Sequence, residues 1–561
     1  MSSIKKQVYI NFFIFFGIVA TLFFLSRYAF YRIDLTSEKR YTLSPATKEL
    51  VRKLDDIVYI KIYLDGDLPA GYKRLKRETK EILDEFKVFA GENIEYEFIN
   101  PSENQNEADR ISLYKQLMKK GLEPVTISES EKESVSQKTI FPGAIATYRS
   151  KEFPLQLLKT QVGTVQEVIL NNSIEGLEYE ISNVIRKLTR KSSERIALLE
   201  GQKELDEIWT RDFVKSLQEY YQVERVKLNQ QFDALKNYQA LIVAKPDSLF
   251  DDKDKFAIDQ FVMKGGKVLW LLDPVYAEMD SLQKSPITYG VQNPLNLEDM
   301  LFVYGVRLNN NLVMDIQAAP IPMITGMMGN VPQRSLLPWY YFPLSPPKIN
   351  HPIVNNLNAV KFQFASQLDT LTTKGLKKTV LLSSSQYSRV VNVPVKISLD
   401  LLRQKPVQEQ YNKSFIPLAV LLEGNFTSCF KNRLPKAITQ DPAIGFKEIS
   451  LENKMIIISD GDVVRNQISK NSSEAYPLGF DRFSGETFGN KNFLLNCVNY
   501  LLDESGLIAV RSREIKLRML DKTKIENEKL FWQILNVISP LLIIVTFGLI
   551  MFFIRKRKFS V

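Results

Sequence analysis

Three acidic clusters follow apolar stretches of the chain. They are Glu200-Gly201-Gln202 after Arg195–Leu199, Asp273-Pro274 after Lys267–Leu272, and Asp460-Gly461-Asp462 after Lys454–Ser459. Parallel sheets bind ligands at the carboxyl ends of their strands, and carboxylates that converge there can hold Ca²⁺ or Mg²⁺ through oxygen. Asp and Gly are also the ordinary residues of turns and caps after strands. Glu200, Gly201, Asp273, Asp460, Gly461 and Asp462 are therefore candidates for a ligand or interface site, with no metal and no cofactor expected. Nucleophilic chemistry finds less support. Cys429 lies in Asn425–Phe430 without a GxCxG-like strand-to-helix elbow, Cys497 falls on the apolar face of a helical run, and no GxSxG occurs. An oxidising compartment would permit a Cys429–Cys497 disulfide. His351, the only histidine, precedes Pro352 in a turn-like stretch, and one His with two Cys is too few for an ordinary structural zinc site. The closest string to a phosphate loop, Gly265-Gly266-Lys267-Val268, lacks its spacing and its hydroxyl. No enzyme is expected, and any ATPase it works with is another chain.

The elements that would position these residues read as α/β modules. Ser44-Pro45 opens a helix as N-cap and first residue. Val58–Leu64 alternates like a half-buried strand, and Leu75, Thr79, Ile82, Phe86 and Phe89 mark a helix closed by Gly91. With Ile94–Ile99, Asp109–Lys120, Pro124–Ser128, Ile140–Tyr148 and Leu177–Thr189, the pattern over 32–190 is thioredoxin-like, with Glu129–Lys138 as a polar loop. No CxxC is present, which removes redox chemistry. After a linker at Arg190–Glu194, residues 195–299 alternate near-continuous apolar strands with amphipathic helices. That pattern predicts a doubly wound parallel sheet of amidotransferase-like form. The sheet is expected to resume over 451–515, with the helix Asn492–Leu502. Residues 300–450 would be an insertion or β-rich subdomain. Within it, Pro320 to Pro352 holds eight prolines together with Met327, Trp339 and Tyr340. The expectation is an irregular loop, either packed on its own domain or offered to a partner.

Both ends read as membrane spans. Residues 8–31 carry an uncharged run Val8–Ser26, and Leu530–Ile554 is uncharged throughout, against the roughly 20 residues a bilayer core requires. Pro540 falls inside the second span, which membrane helices tolerate when neighbours satisfy the freed carbonyl; it is a candidate packing point. The net charge of +10 sits at the ends. Lys5, Lys6, Arg27 and Arg32 flank the first span, and Arg555, Lys556, Arg557 and Lys558 follow the second. The remaining 66 bases face 64 acids, which argues against a nucleic-acid surface. Counting bases in the short tails 1–7 and 555–561 places both in the cytoplasm. Residues 34–529, including a linker at 516–529, then face the periplasm of a bacterial inner membrane.

Three runs carry a resemblance. IDLTSEKRYTLSPAT at Ile33–Thr47, ISDGDVVRNQ at Ile458–Gln467 and NKNFLLNCVNYLLDESGLIAVRSRE at Asn490–Glu514 resemble the ABC-transporter auxiliary family, most of all its gliding-motility members in Bacteroidetes. The resemblance implies a multi-span permease and a cytoplasmic ATPase as partners, in an assembly required for gliding motility; two copies of this chain per complex are expected. It implies no catalytic residues. The alternatives are a periplasmic component that binds a glycan or peptide, and a structural envelope scaffold.

Overall fold

In a computed structural model of the chain, the structure describes residues 3–28, 42–103, 106–131, 134–159, 165–189, 194–328, 331–403, 405–469, 474–503, 506–512 and 522–559. The chain divides into two compact units, Met1–Arg513 and Glu514–Val561. Helix α1 spans Ser3–Tyr28. Helix α2, Pro45–Arg52, begins as its capping residues dictate: the Ser44 side chain accepts from the Thr47 amide at 3.1 Å.

The first module is built from β1 (Val58–Ile62), α3 (Ala70–Ala90), β2 (Ile94–Phe98), α4 (Glu107–Lys119), a hairpin β3 (Val125–Glu131) and β4 (Ser134–Ile140), β5 (Gly143–Tyr148), β6 (Lys151–Gln156) and α5 (Gln166–Thr189). Its sheet runs β2-β1-β5-β6, with β1 and β2 parallel and the other pairs antiparallel. Val58, Ile60 and Ile62 pack with Leu75 and Phe86 of α3 and Ile181 and Ile185 of α5. Glu129–Lys138, expected as a loop, instead lies mostly in the paired strands β3 and β4. The linker expected at Arg190–Glu194 falls largely outside the described residues.

The second module holds β7 (Arg195–Glu200), α6 (Glu207–Gln218), β8 (Gln222–Lys227), β9 (Ala240–Ala244), α7 (Asp252–Met263) and β10 (Lys267–Leu271). Further along come β11 (Asn311–Asp315), β12 (Ala318–Met328), β13 (Val331–Ser345), β14 (Leu376–Ser383), β15 (Ser388–Asn392), β16 (Pro417–Thr427), β17 (Ile449–Ile458) and α8 (Asn490–Leu502). The seven-stranded sheet runs β14-β16-β17-β10-β9-β7-β8. Its strands from β17 to β8 are parallel, while β14 and β16 are antiparallel. The expected all-parallel sheet is thus a mixed one, and β14 and β16 come from the stretch expected to stand apart. Successive residues alternate between two cores. Ile196, Leu198, Leu269, Leu271, Ile456 and Ile458 face α6 and α8. Ala197, Leu199, Val268, Trp270, Met455 and Ile457 face α7. Burial on both faces is why these strands read as continuous apolar runs.

The segment from Pro320 to Pro352 corrects the expectation most. Most of it lies in β12 and β13, which form a long antiparallel hairpin with bulges near Ala318 and Ile324. Strand β12 lies at the edge of its small sheet, where proline costs no ladder bond. Trp339 and Tyr340, offered as contact residues, are buried with Tyr341, Phe342 and Phe364. Met327, near the hairpin tip, is exposed.

Cys429 and Cys497 are both free and buried, on opposite faces of the seven-stranded sheet. Burial pushes both thiols upward, and for Cys429 the nearby Asp259 adds to the push. Peptide mapping without reductant should recover both as free thiols, and alkylation should proceed only after denaturation; a Cys429–Cys497 cross-link would contradict this arrangement.

In the second unit, helix α9 spans Lys522–Phe559 with Pro540 inside it. It therefore begins within the stretch expected as a linker at 516–529. Residues Glu528–Arg557 are long and apolar enough to cross a membrane. Among the described residues it is the only helix that is, since the apolar run of α1, Tyr9–Thr21, is shorter.

Candidate functional site

The order β8-β7-β9-β10 reverses direction at β7, and open α/β sheets bind ligands at such a switch point, beyond the carboxyl ends of the strands. A cleft of about 100 Å³ lies at this point. Its walls are Lys203 and Leu205 after β7, Lys245 to Asp247 after β9, and Asp273 with Val275 to Glu278 after β10, closed by Asn293.

Beside the cleft the chain gathers an unusual charge cluster. Asp273, Asp460 and Asp462 are buried, with carboxylate oxygens within 4.8 Å of one another. Lys245 supplies the counter-charge: its Nζ lies 2.6 Å from Asp462 Oδ2, 3.2 Å from Asp273 Oδ2 and 3.9 Å from Glu278 Oε1. Arg465 adds a second cation, 3.4 Å from Asp462 Oδ1, and stacks 4.3 Å from the Trp209 ring. Backbone geometry builds this arrangement. Lys245 stands at φ 55, in the left-handed region that non-glycine residues seldom enter. A Cβ on Gly461 would lie 2.5 Å from the Lys245 Cβ, so only glycine admits the lysine stem. The Gly461 amide donates to Asp273 Oδ1 at 2.6 Å, and the Asp462 amide to Asp460 Oδ1 at 2.7 Å. Asp460 Oδ2 accepts from the Gln363 amide.

The three carboxyls behave differently. Burial pushes Asp273 up to about 6 against the pull of Lys245. Burial and the charges of Asp273 and Asp462 drive Asp460 well above the usual carboxylate range. Burial also works to raise Asp462, but Lys245 and Arg465 outweigh it and hold that carboxyl low. Lys245 is raised because Asp462 and Asp273 overcome its desolvation. The cluster is an ionic latch joining the ends of β9, β10 and β17, in which the Lys245 ammonium pairs with two of the three carboxylates, Asp273 and Asp462.

Of the residues singled out in the sequence, Asp273, Asp460, Gly461 and Asp462 converge here. Glu200 and Gly201 do not join them. Glu200 pairs with Arg225 of β8 at 3.0 Å, and Gly201, at φ 134, turns the chain. Met327, Trp339 and Tyr340 belong to the hairpin and its core, and Pro540 to α9. Lys245 was not foreseen. Nor was Asp259, a fully buried residue of α7 that accepts from Tyr304 Oη at 2.9 Å, Cys429 N at 3.0 Å, Ser428 Oγ at 2.6 Å and Gln260 Nε2 at 3.0 Å. A lone acid inside the apolar run Phe256–Met263 was its one visible signal.

Comparison with known proteins adds the following. A family model described as an ABC-type uncharacterized transport system matches residues 193–497, more than half of the chain. A model for a domain of unknown function matches residues 37–147. An uncharacterized protein of Borreliella burgdorferi is 24% identical over 548 residues, covering 94% of each chain. The solved mmIFT52 N-terminal domain is similar over 55% of this chain and 98% of its own, at 14% identity and a TM-score of 0.30.

Proposed function

The chain belongs to the ABC-type uncharacterized transport system family, and from that premise we propose that it is a non-catalytic auxiliary subunit of an ABC-type membrane complex whose permease and ATPase are separate chains. The family match over residues 193–497 carries this reading. Helix α9 supplies the anchor, since Glu528–Arg557 exceeds the roughly 20 apolar residues that a bilayer core requires. In this reading α1 is a second anchor, both tails are cytoplasmic, and the α/β body works in the periplasm. The body receives or transmits the conformational change driven by ATP hydrolysis on the other side. The basic residues that flank the two apolar runs support the orientation. A role in gliding motility rests on the three motifs at Ile33–Thr47, Ile458–Gln467 and Asn490–Glu514.

Affinity purification of the full chain from detergent-solubilised native membranes should bring down a multi-span permease and an ATPase. Recovery as a solitary monomer under several mild detergents would overturn the reading. One observation favours a second reading, a ligand-binding component: the cleft at the switch point beside Lys245 and Asp273. A glycan or peptide bound there would raise the melting temperature in proportion to RT ln(1 + [L]/Kd).

A further inference from the structure

We propose that the outward face of the β12–β13 hairpin docks on anionic lipid headgroups at the surface of the membrane, an inference that rests on the anchorage proposed above. The register divides the hairpin into two faces. Ile321 opposite Leu337 and Met323 opposite Ser335 form one, and Ile321 and Met323 pack there toward the core of Trp339 and Tyr341. Pro320 opposite Pro338, Pro322 opposite Leu336 and Ile324 opposite Arg334 form the other. On that face Ile324 is 61% exposed and Leu336 46%, with Met327 at 66% near the tip. Apolar side chains left in water on one face of a hairpin are a contact surface in want of an apolar neighbour.

The charge pattern selects the neighbour. Residues 316–368 contain no Asp or Glu, although at the chain's average a stretch of this length would hold about six. Arg334 is the only charged residue of the hairpin and is exposed beside Ile324. Apolar residues that enter the interface, together with basic residues facing anionic headgroups, are the two components of peripheral membrane binding. Strand addition by a protein partner is opposed by Pro320 and Pro322 on the edge strand, which lack the N–H groups that pairing would use. Three exposed apolar side chains are also few against the roughly 800 Å² that each side of a stable protein contact buries.

The test uses the full chain carrying Met327→Cys, labelled with an environment-sensitive fluorophore; the native cysteines are buried and do not compete. The chain is reconstituted into phosphatidylcholine vesicles with and without phosphatidylglycerol, and Lys236→Cys, at an exposed position of the α/β body, is the control. With phosphatidylglycerol present, spin-labelled lipid should quench the Met327 label several-fold more than the Lys236 label, and aqueous iodide should quench it less. Arg334→Gln should lower the docked population about fivefold, the value of one basic residue near an anionic surface. A chain that floats with the vesicles while its Met327 label stays as open to iodide as the control overturns the proposal. Equal lipid quenching in both vesicle types does so too, as does shielding that arises only when other membrane proteins are reconstituted alongside. A chain that does not float with vesicles sinks the anchorage itself, and the proposal falls with it.

Discussion

Lys245→Met should destabilise the α/β body by about 3–5 kcal/mol at pH 8, the usual cost of removing one partner from a buried ion pair. The ammonium is the nearest positive charge to both Asp273 and Asp462, and Arg465 reaches only the latter. Without it, buried carboxylates face one another with a single guanidinium between them and solvent. The remedy open to the variant is to take up protons, so its deficit should shrink on acidification. In the wild type the signs oppose. Asp273 titrates near 6 when folded and near 3.8 when unfolded, so the folded state binds the extra proton between these values and gains stability as pH falls through 6. Asp462 is held low, and its contribution is lost only as pH falls below the ordinary range toward its depressed value. Urea denaturation of wild type and variant at pH 8 and pH 5, followed by tryptophan fluorescence, should therefore show a gap that narrows at pH 5. A gap that is constant or widens would mean that Lys245 does not compensate these carboxylates.

The second large effect is expected at Asp259. Asp259→Ala removes the acceptor for Tyr304 Oη, Ser428 Oγ and Cys429 N at once. Each buried donor left without a partner costs about 1–3 kcal/mol, so a loss of at least about 3 kcal/mol is expected. Asp259→Asn keeps the shape and one acceptor oxygen and should recover part of that loss. Denaturation midpoints of the two variants measure this directly. A near-neutral Asp259→Ala would show that the loop at Ser428–Phe430 is held by other means.

What could be read ahead of the structure follows from how each residue meets solvent. Strands β9 and β10 and the Met455–Ile458 end of β17 are buried on both faces and announce themselves as apolar runs, and Ser44-Pro45 marks a helix start through local hydrogen bonding alone. Asp273, Asp460 and Asp462 could be placed at strand ends, so their convergence follows once the strands are neighbours. Lys245 could not, because its role depends on a left-handed backbone and on the absence of a side chain at Gly461 far along the chain. The β12–β13 hairpin was hidden by its prolines, which argue against a central strand and do not distinguish an edge strand from a loop. Strand β16 holds an apolar run at Leu418–Leu422 as plain as those of the central strands, but no local period says which strands β14 and β16 pair with or in which direction.

The sheet also has a consequence for biogenesis. Strand β10 ends at Leu271, yet its outer neighbour β17 begins at Ile449, about 180 residues later. At a synthesis rate of roughly 5–20 residues per second, an unpaired apolar strand edge would stay bare for roughly ten to forty seconds before its mate emerged. During that interval the nascent chain is open to association with any stray β-strand, so the compartment where it matures must shelter it, and a product terminated ahead of Ile449 would keep that vulnerability permanently.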